Sequence, residues 1–266
     1  MSGNVEVHDR LLLRGKLMAL EKEKIIIPLD VPTEKEALDL VSQLKEHVGL
    51  FKVGLELISS VGIDIVRKIS KMGANVFLDG KFHDIPNTVE GASRGVTRLG
   101  VKMFNVHAMG GLKMMEAAAK AAREESHSLG RNRPLVLGVT VLTSIDQKTM
   151  NEDLRVEGIV ESQVVHLARL AEKAGLDGVV ASPKEITAIH EAMPNMLIIT
   201  PGVRPAWAEL QDQKRVLTPG EAVSRGASYI VIGRPITKPP PQIGTPAEAA
   251  KRIAEEMRVA LATGRE

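Results

Sequence analysis

The sequence has 266 residues, 44% of them apolar, with 35 basic against 33 acidic side chains and a formal net charge of +2. That length and apolar share suffice for one sizeable core without covalent staples. Cysteine is absent, which excludes disulfides, thiolate nucleophiles and cysteine-held metals, and a near-neutral balance with one Trp, one Tyr and four Phe argues against a general nucleic-acid binder.

The first stretch of interest is LLLRGKLMAL (Leu11–Leu20). Arg14 and Lys16 interrupt it and no small-residue cleavage site follows, so it reads as a short amphipathic helix rather than a signal peptide. Residues 1–23 are expected to form an N-terminal extension. No apolar run reaches the ~18 residues that span a bilayer, so no membrane partner is expected. A cysteine-free chain also fits a reducing compartment, and a cytoplasmic location is expected.

From Lys24 onward, short β-branched runs alternate with helical patterns. The first run is KIIIPLD (Lys24–Asp30). A helix follows from TEKEALDLVSQLKEHV, with Thr33 as N-cap and Glu36 completing a capping box. Further runs are LFKVG (Leu50–Gly54), NVFLD (Asn75–Asp79), MFNVHA (Met103–Ala108), LVLGVT (Leu135–Thr140), GVVAS (Gly178–Ser182), LIITPG (Leu197–Gly202) and YIVIGR (Tyr229–Arg234). KPPPQIG (Lys238–Gly244) is a stiff connector to a last helix, where Thr245, Pro246 and Glu248 repeat the capping device. Continuous apolar strands between helices predict a parallel sheet covered on both faces. Eight such units predict an α/β fold, a (β/α)8 TIM barrel in one domain over 24–266. An open doubly wound sheet is the alternative.

Polar residues stand at nearly every strand end: Asp30, Lys52, Asp79 with Lys81, His107, Thr140 with Thr143, Ser182, Arg204 and Arg234. In barrels these ends form the active face. Ser182 and His107 fit equally well as residues that simply start loops.

VFLDGKFHDIPNT (Val76–Thr88) begins as a buried strand and then concentrates Asp79, Lys81, His83 and Asp84. Such charges are costly to bury unless paired or used. In extended chain, Asp79 and Lys81 point to the same side. With Lys52 from the adjacent strand, an alternating Lys-Asp-Lys-Asp array results. Flanking carboxylates favour the ammonium form of Lys81, whereas a Schiff-base lysine needs the reverse. Lys81 therefore suits the role of a cationic acid. A purely structural salt-bridge network at a barrel rim is the competing reading. Separately, TPGVRP (Thr200–Pro205) and IGRP (Ile232–Pro235) follow the last two strands, where barrels often bind phosphate. Gly202 and Gly233 permit close backbone approach, and Arg204 and Arg234 can meet an anion.

These stretches resemble the orotidine 5′-phosphate decarboxylase family, in its bacterial type. DGKFHDIPNT resembles the family's Asp-x-Lys-x-x-Asp signature with its Ile-Pro-x-Thr continuation. PLD, KVG, VTVLTS, TPGVRP, DQKRVLTP and VIGRPIT follow in the expected order, so the resemblance covers roughly Lys24 to Leu261. It implies decarboxylation of orotidine 5′-phosphate to uridine 5′-phosphate without metal or organic cofactor. It also implies that Lys81 protonates the pyrimidine carbon that loses carbon dioxide, that Asp79 sits against the substrate carboxylate, and that Lys52 orients Asp79 and reaches the ribose. Asp30 would bind the ribose hydroxyls, Thr143 the base, and Ile85 and Pro201 would line the substrate. Gln213, Arg234 and the Gly233 N–H would hold the phosphate with Arg204 nearby, and residues 203–215 would form a lid. A homodimer is implied, with Asp84 and Thr88 entering the partner's site.

One departure is Gly80, where the family usually has a larger apolar residue; altered packing is expected there rather than lost activity. Two rival readings remain. A magnesium-dependent sugar-phosphate decarboxylase or synthase shares Asp-x-Lys-x-x-Asp, but Ile85–Thr88 and Asp30 count against it. The other is a nucleotide-binding barrel without catalysis.

Overall fold

The computed structural model describes residues 20–208 and 217–263. Residues 1–19, which include all but the last residue of the Leu11–Leu20 stretch, and Gln213 lie outside the described residues, as does most of the expected lid.

The strands are β1 (Ile25–Pro28), β2 (Leu50–Gly54), β3 (Val76–Phe82), β4 (Met103–His107), β5 (Leu135–Val139), β6 (Gly178–Val180), β7 (Leu197–Pro201) and β8 (Tyr229–Val231). All neighbours pair in parallel and in chain order, and β8 returns to β1, closing the barrel. The open-sheet alternative is thereby excluded.

Continuous apolar runs are what this closure requires, because a strand here buries both faces. Ile25, Ile26 and Ile27 are all fully buried. Alternation divides them between two cores. Ile26, Leu50, Phe77, Met103, Leu137 and Ile199 fill the barrel interior. Ile25, Ile27, Phe51, Val53, Val76 and Leu78 point outward into the larger layer beneath the helices. That layer is covered by α1 (Glu34–Leu44), α2 (Leu55–Val61), α3 (Ile65–Lys71), α4 (Pro86–Leu99), α5 (Leu112–Ser128), α6 (Val160–Lys173), α7 (Ile186–Ala192), α8 (Pro219–Ser224), α9 (Arg234–Thr237) and α10 (Pro246–Thr263). Among the described residues, no helix is long and apolar enough to cross a membrane.

Two expected capping boxes turn out unequal. At α10, Thr245 N–H donates to Glu248 Oε2 and Glu248 N–H to Thr245 Oγ1, completing the reciprocal pair. At α1, Thr33 accepts the Glu36 N–H, but no return bond from Glu36 closes the box among the described residues. A further complete box joins Thr218 and Glu221 at the start of α8.

The feature that matters most for the site is an irregularity in β3. The strand runs past its expected end at Asp79 to Phe82. Against β4, Leu78 pairs with Phe104 and Phe82 with Val106, so Asp79, Gly80 and Lys81 stand opposite Asn105 alone. This is a bulge, and bulges re-aim side chains. Lys81 takes a φ of 48°, left-handed backbone that a lysine rarely adopts. The assumption of a plain extended chain between Asp79 and Lys81 is therefore corrected: the two side chains meet because the strand buckles.

Candidate active site

Lys52 enters the C-terminal mouth of the barrel from β2, and Asp79 and Lys81 enter from β3. Lys81 Nζ donates to Asp79 Oδ1 at 2.7 Å. Lys52 Nζ lies 3.3 Å from Asp79 Oδ2 and 3.1 Å from Asp30 Oδ1. Asp79 is thus held between two ammonium groups, and Asp30 extends the chain of charges toward solvent. Gly54 makes room for this crowd, since a Cβ there would come within 2.8 Å of Lys52 Nζ.

Asp79 is largely buried. Burial pushes its carboxyl up, but Lys52, Lys81 and Asn105 together outweigh that and hold it below the usual carboxylate range. The site keeps an anion beside a cavity of about 180 Å3, walled by Lys52, Asp79, Lys81, Thr143, Pro201 and apolar residues including Phe77, Val139, Val180 and Val231. Thr143 and Pro201, expected at the base and along the substrate, line the same cavity as the charged groups.

Asp84 departs from the expected array within one chain. It is exposed, and its carboxylate accepts its own neighbour's Ile85 N–H at 2.6 Å. Among the described residues no ion pair joins it to Lys81. Ile85 is 66% exposed and Thr88 is exposed on the first turn of α4. The stretch from Asp84 to Thr88 therefore faces outward. Gly202, at φ 79°, and Arg204 follow β7; the Arg204 N–H donates to Leu217 O, which ties the base of that loop. Gly233 and Arg234 follow β8, and a Cβ on Gly233 would press on Pro28 at 3.1 Å. Because β8 pairs with β1, the loop after β8 stands beside the end of β1, and the loop after β7 is one strand further round.

His107 and Ser182 do start loops. His107 Nδ1 accepts the Met109 N–H and Ser182 Oγ the Lys184 N–H. His107 also stacks on His83, with ring centroids 5.2 Å apart. Burial, then His83, then Lys81 push its imidazole below the ordinary range. Sequence reasoning assigned no role to Gly54, although KVG contains it, nor to Asn105, whose amide touches both Asp79 and Lys81. At the departure, Gly80, a Cβ would meet Phe82 Cε1 at 2.8 Å, because the Phe82 ring occupies that space.

This geometry can be set against known proteins. A family model described as Orotidine 5′-phosphate decarboxylase / HUMPS family matches residues 23–253. The chain belongs to that family. An orotidine 5′-phosphate decarboxylase of Moorella thermoacetica is 52% identical over 90% of this chain and 93% of its own length. One of Heliobacterium modesticaldum is 51% identical over 91% of this chain and 98% of its own. Among solved structures, the orotidine 5′-phosphate decarboxylase of Lactobacillus acidophilus superposes with a TM-score of 0.77 at 35% identity, covering 88% of this chain and 98% of that one. In this chain Asp79 and Lys81 lie on the bulge of β3 and line the cavity, while Asp84 follows the strand and is exposed.

Proposed function

We propose that Lys52, Asp79 and Lys81 carry the chemistry of orotidine 5′-phosphate decarboxylation in this chain. The enzyme is a carboxy-lyase of pyrimidine nucleotide synthesis, releasing carbon dioxide to give uridine 5′-phosphate. The observation that carries the residue assignment is the Lys81 ammonium, fixed 2.7 Å from the Asp79 carboxylate at the cavity wall.

The bond from the ring carbon to the carboxylate breaks, and its electron pair stays on the ring carbon. A fixed ammonium beside that carbon stabilises the charge, then transfers its proton to form the new C–H bond. Lys81 is left as an amine and regains a proton from solvent. Asp79, kept anionic, faces the substrate carboxylate and disfavours the bound ground state. Lys52 holds Asp79 in place and, with Asp30, meets the ribose. The cation does the work of an electron sink, so this reading calls for no metal or organic cofactor. Thr143 meets the base, with Ile85 and Pro201 along the substrate. Arg204, Gln213, Gly233 and Arg234 take the phosphate, whose remote binding energy supports catalysis at the ring.

We read the active unit as a homodimer in which Asp84 and Thr88 complete the partner's site. Their outward orientation supports this, as do exposed apolar residues after β2 to β5: Leu55, Ile85, Met109, Leu142, Leu154 and Ile159. A second copy would cover that rim. The remaining parts of this reading are a single barrel domain from residue 24 behind an N-terminal extension, and a cytoplasmic location, which a cysteine-free chain acting on a nucleotide supports.

The test follows the ultraviolet absorbance of orotidine 5′-phosphate with purified protein. Turnover is expected, and it should survive a chelator; loss of turnover on chelation would favour the magnesium-dependent rival. Inactive Lys81→Ala and inactive Asp84→Ala proteins are then mixed under exchange. About half the dimers should be mixed, each with one intact site, so about a quarter of wild-type activity should return. No recovery after verified exchange overturns the shared site.

A further inference from the structure

We propose that Asn105 is a positioning residue for the Asp79–Lys81 pair, holding the backbone of one and the carboxylate of the other with a single amide. The inference rests on the reading that this pair carries the decarboxylation.

Asn105 lies in the middle of β4 and is fully buried. Its Oδ1 accepts the Lys81 backbone N–H at 2.8 Å. Its Nδ2 donates to Asp79 Oδ1 at 2.7 Å. That same oxygen accepts the Lys81 ammonium, so one carboxylate oxygen receives both groups. The partners dictate the residue type. The Lys81 N–H can only donate and the Asp79 carboxylate can only accept, so the bridging group must accept at one end and donate at the other. An uncharged amide does both, and its two ends cannot be exchanged.

The bulge explains why a bridge is needed. Asp79, Gly80 and Lys81 face Asn105 alone, so the regular β3–β4 ladder is interrupted there. The amide oxygen takes the place of a backbone partner for Lys81. It thereby holds the left-handed backbone at φ 48° that aims the ammonium at Asp79. Strain of this kind persists only where the surroundings fix it. Asn105 thus links the backbone of the proton donor to the carboxylate opposite it.

Three variants are compared for kcat, KM, product affinity and thermal midpoint. Lys81→Ala reports on the underlying reading; if it keeps wild-type turnover, that reading fails independently of this one. Asn105→Ala leaves the Lys81 N–H and Asp79 without their bridge. Its kcat is expected to fall about 10²-fold, as for a misplacement of about 1 Å, with product affinity changed much less.

Asn105→Asp is the sharper probe. It still accepts from Lys81, but its second oxygen meets the Asp79 carboxylate, and the two share a proton only when the pH is low enough. With that proton bound, the site regains the charge and hydrogen bonds of the wild type. Its deficit relative to wild type should therefore shrink by about tenfold or more between about pH 8 and about pH 5.5. A deficit that stays constant with pH, or variants that lose only thermal stability and keep kcat, would overturn the proposal.

Discussion

Two partly buried ion networks sit at opposite ends of the barrel. At the N-terminal end, Arg133 precedes β5 and Asp177 precedes β6. Arg133 Nη1 donates to Asp177 Oδ2 at 2.8 Å, its Nη2 donates to Oδ1, and the Val136 N–H donates to Oδ2 at 2.7 Å. Neither residue borders the cavity, and both have ordinary negative φ. At the C-terminal end, Lys52, Asp79 and Lys81 wall that cavity, and the lysine that pairs most closely sits in left-handed backbone. The pairing chemistry is alike, but only one network combines open space with strain. A pair that only ties strands together gains nothing from a strained partner. Strain beside a cavity marks groups placed for something else.

The largest test of this contrast is Lys81→Ala. Both the stabilising charge and the proton source go, so kcat/KM should fall by about 10⁵-fold or more. The thermal midpoint should move by less than about 2 °C, because Asp79 keeps Lys52 and Asn105. A variant that lost stability but kept its turnover would make this network structural and break the contrast.

Arg133→Ala is the mirror experiment. Asp177 keeps the Val136 N–H but loses its cation, and stability should fall by about 1–2 kcal/mol in denaturant titration. Turnover per folded molecule should stay within about twofold of wild type. A drop in turnover at unchanged stability would mean that the far end of the barrel reaches the site.

A smaller effect sharpens the same point, using a buried charge outside both networks. Glu185, in the turn after β6, is buried, and its Oε2 finds no hydrogen-bond partner among the described residues. Burial pushes its carboxyl up, and the Ser182 and Lys184 contributions do not offset it. A raised carboxyl contributes stability that is complete below its unfolded value and lost as pH rises through the folded one. Glu185→Gln should therefore gain about 1 kcal/mol at about pH 7, and the gain should vanish near about pH 4. Thermal melts across that range measure it; a loss at neutral pH would mean that the charge is being used.

Most of the barrel was legible in the sequence, because strands buried on both faces must be continuously apolar. Runs such as Lys24–Asp30 and Leu50–Gly54 give their places within a residue or two. The charged groups were legible too, since Asp79 and Lys81 violate that apolar rule at a strand end. Asn105 was not. One amide within MFNVHA has no spacing to announce it, and its meaning depends on a bulge in the neighbouring strand. Gly54 was hidden for a related reason: it matters for atoms it does not have. The turning of Asp84 away from Lys81 depends on where Pro86 starts α4, which residue spacing alone leaves open.

Phe82 lies over Gly80 where a side chain at position 80 would project, 2.8 Å from a Cβ built there. The two positions therefore share one volume, and their substitutions are not independent. A leucine at 80 collides with the ring, while an alanine at 82 leaves a void beside Phe104, whose ring is 6.2 Å away. Made together, the changes refill the space that each alone would overfill or empty. Single-site scanning would charge each position with a cost that the paired change removes. A lineage could cross between the two packings only through a compensating double change or a destabilised intermediate, so this corner of β3 couples the histories of its residues as closely as their atoms.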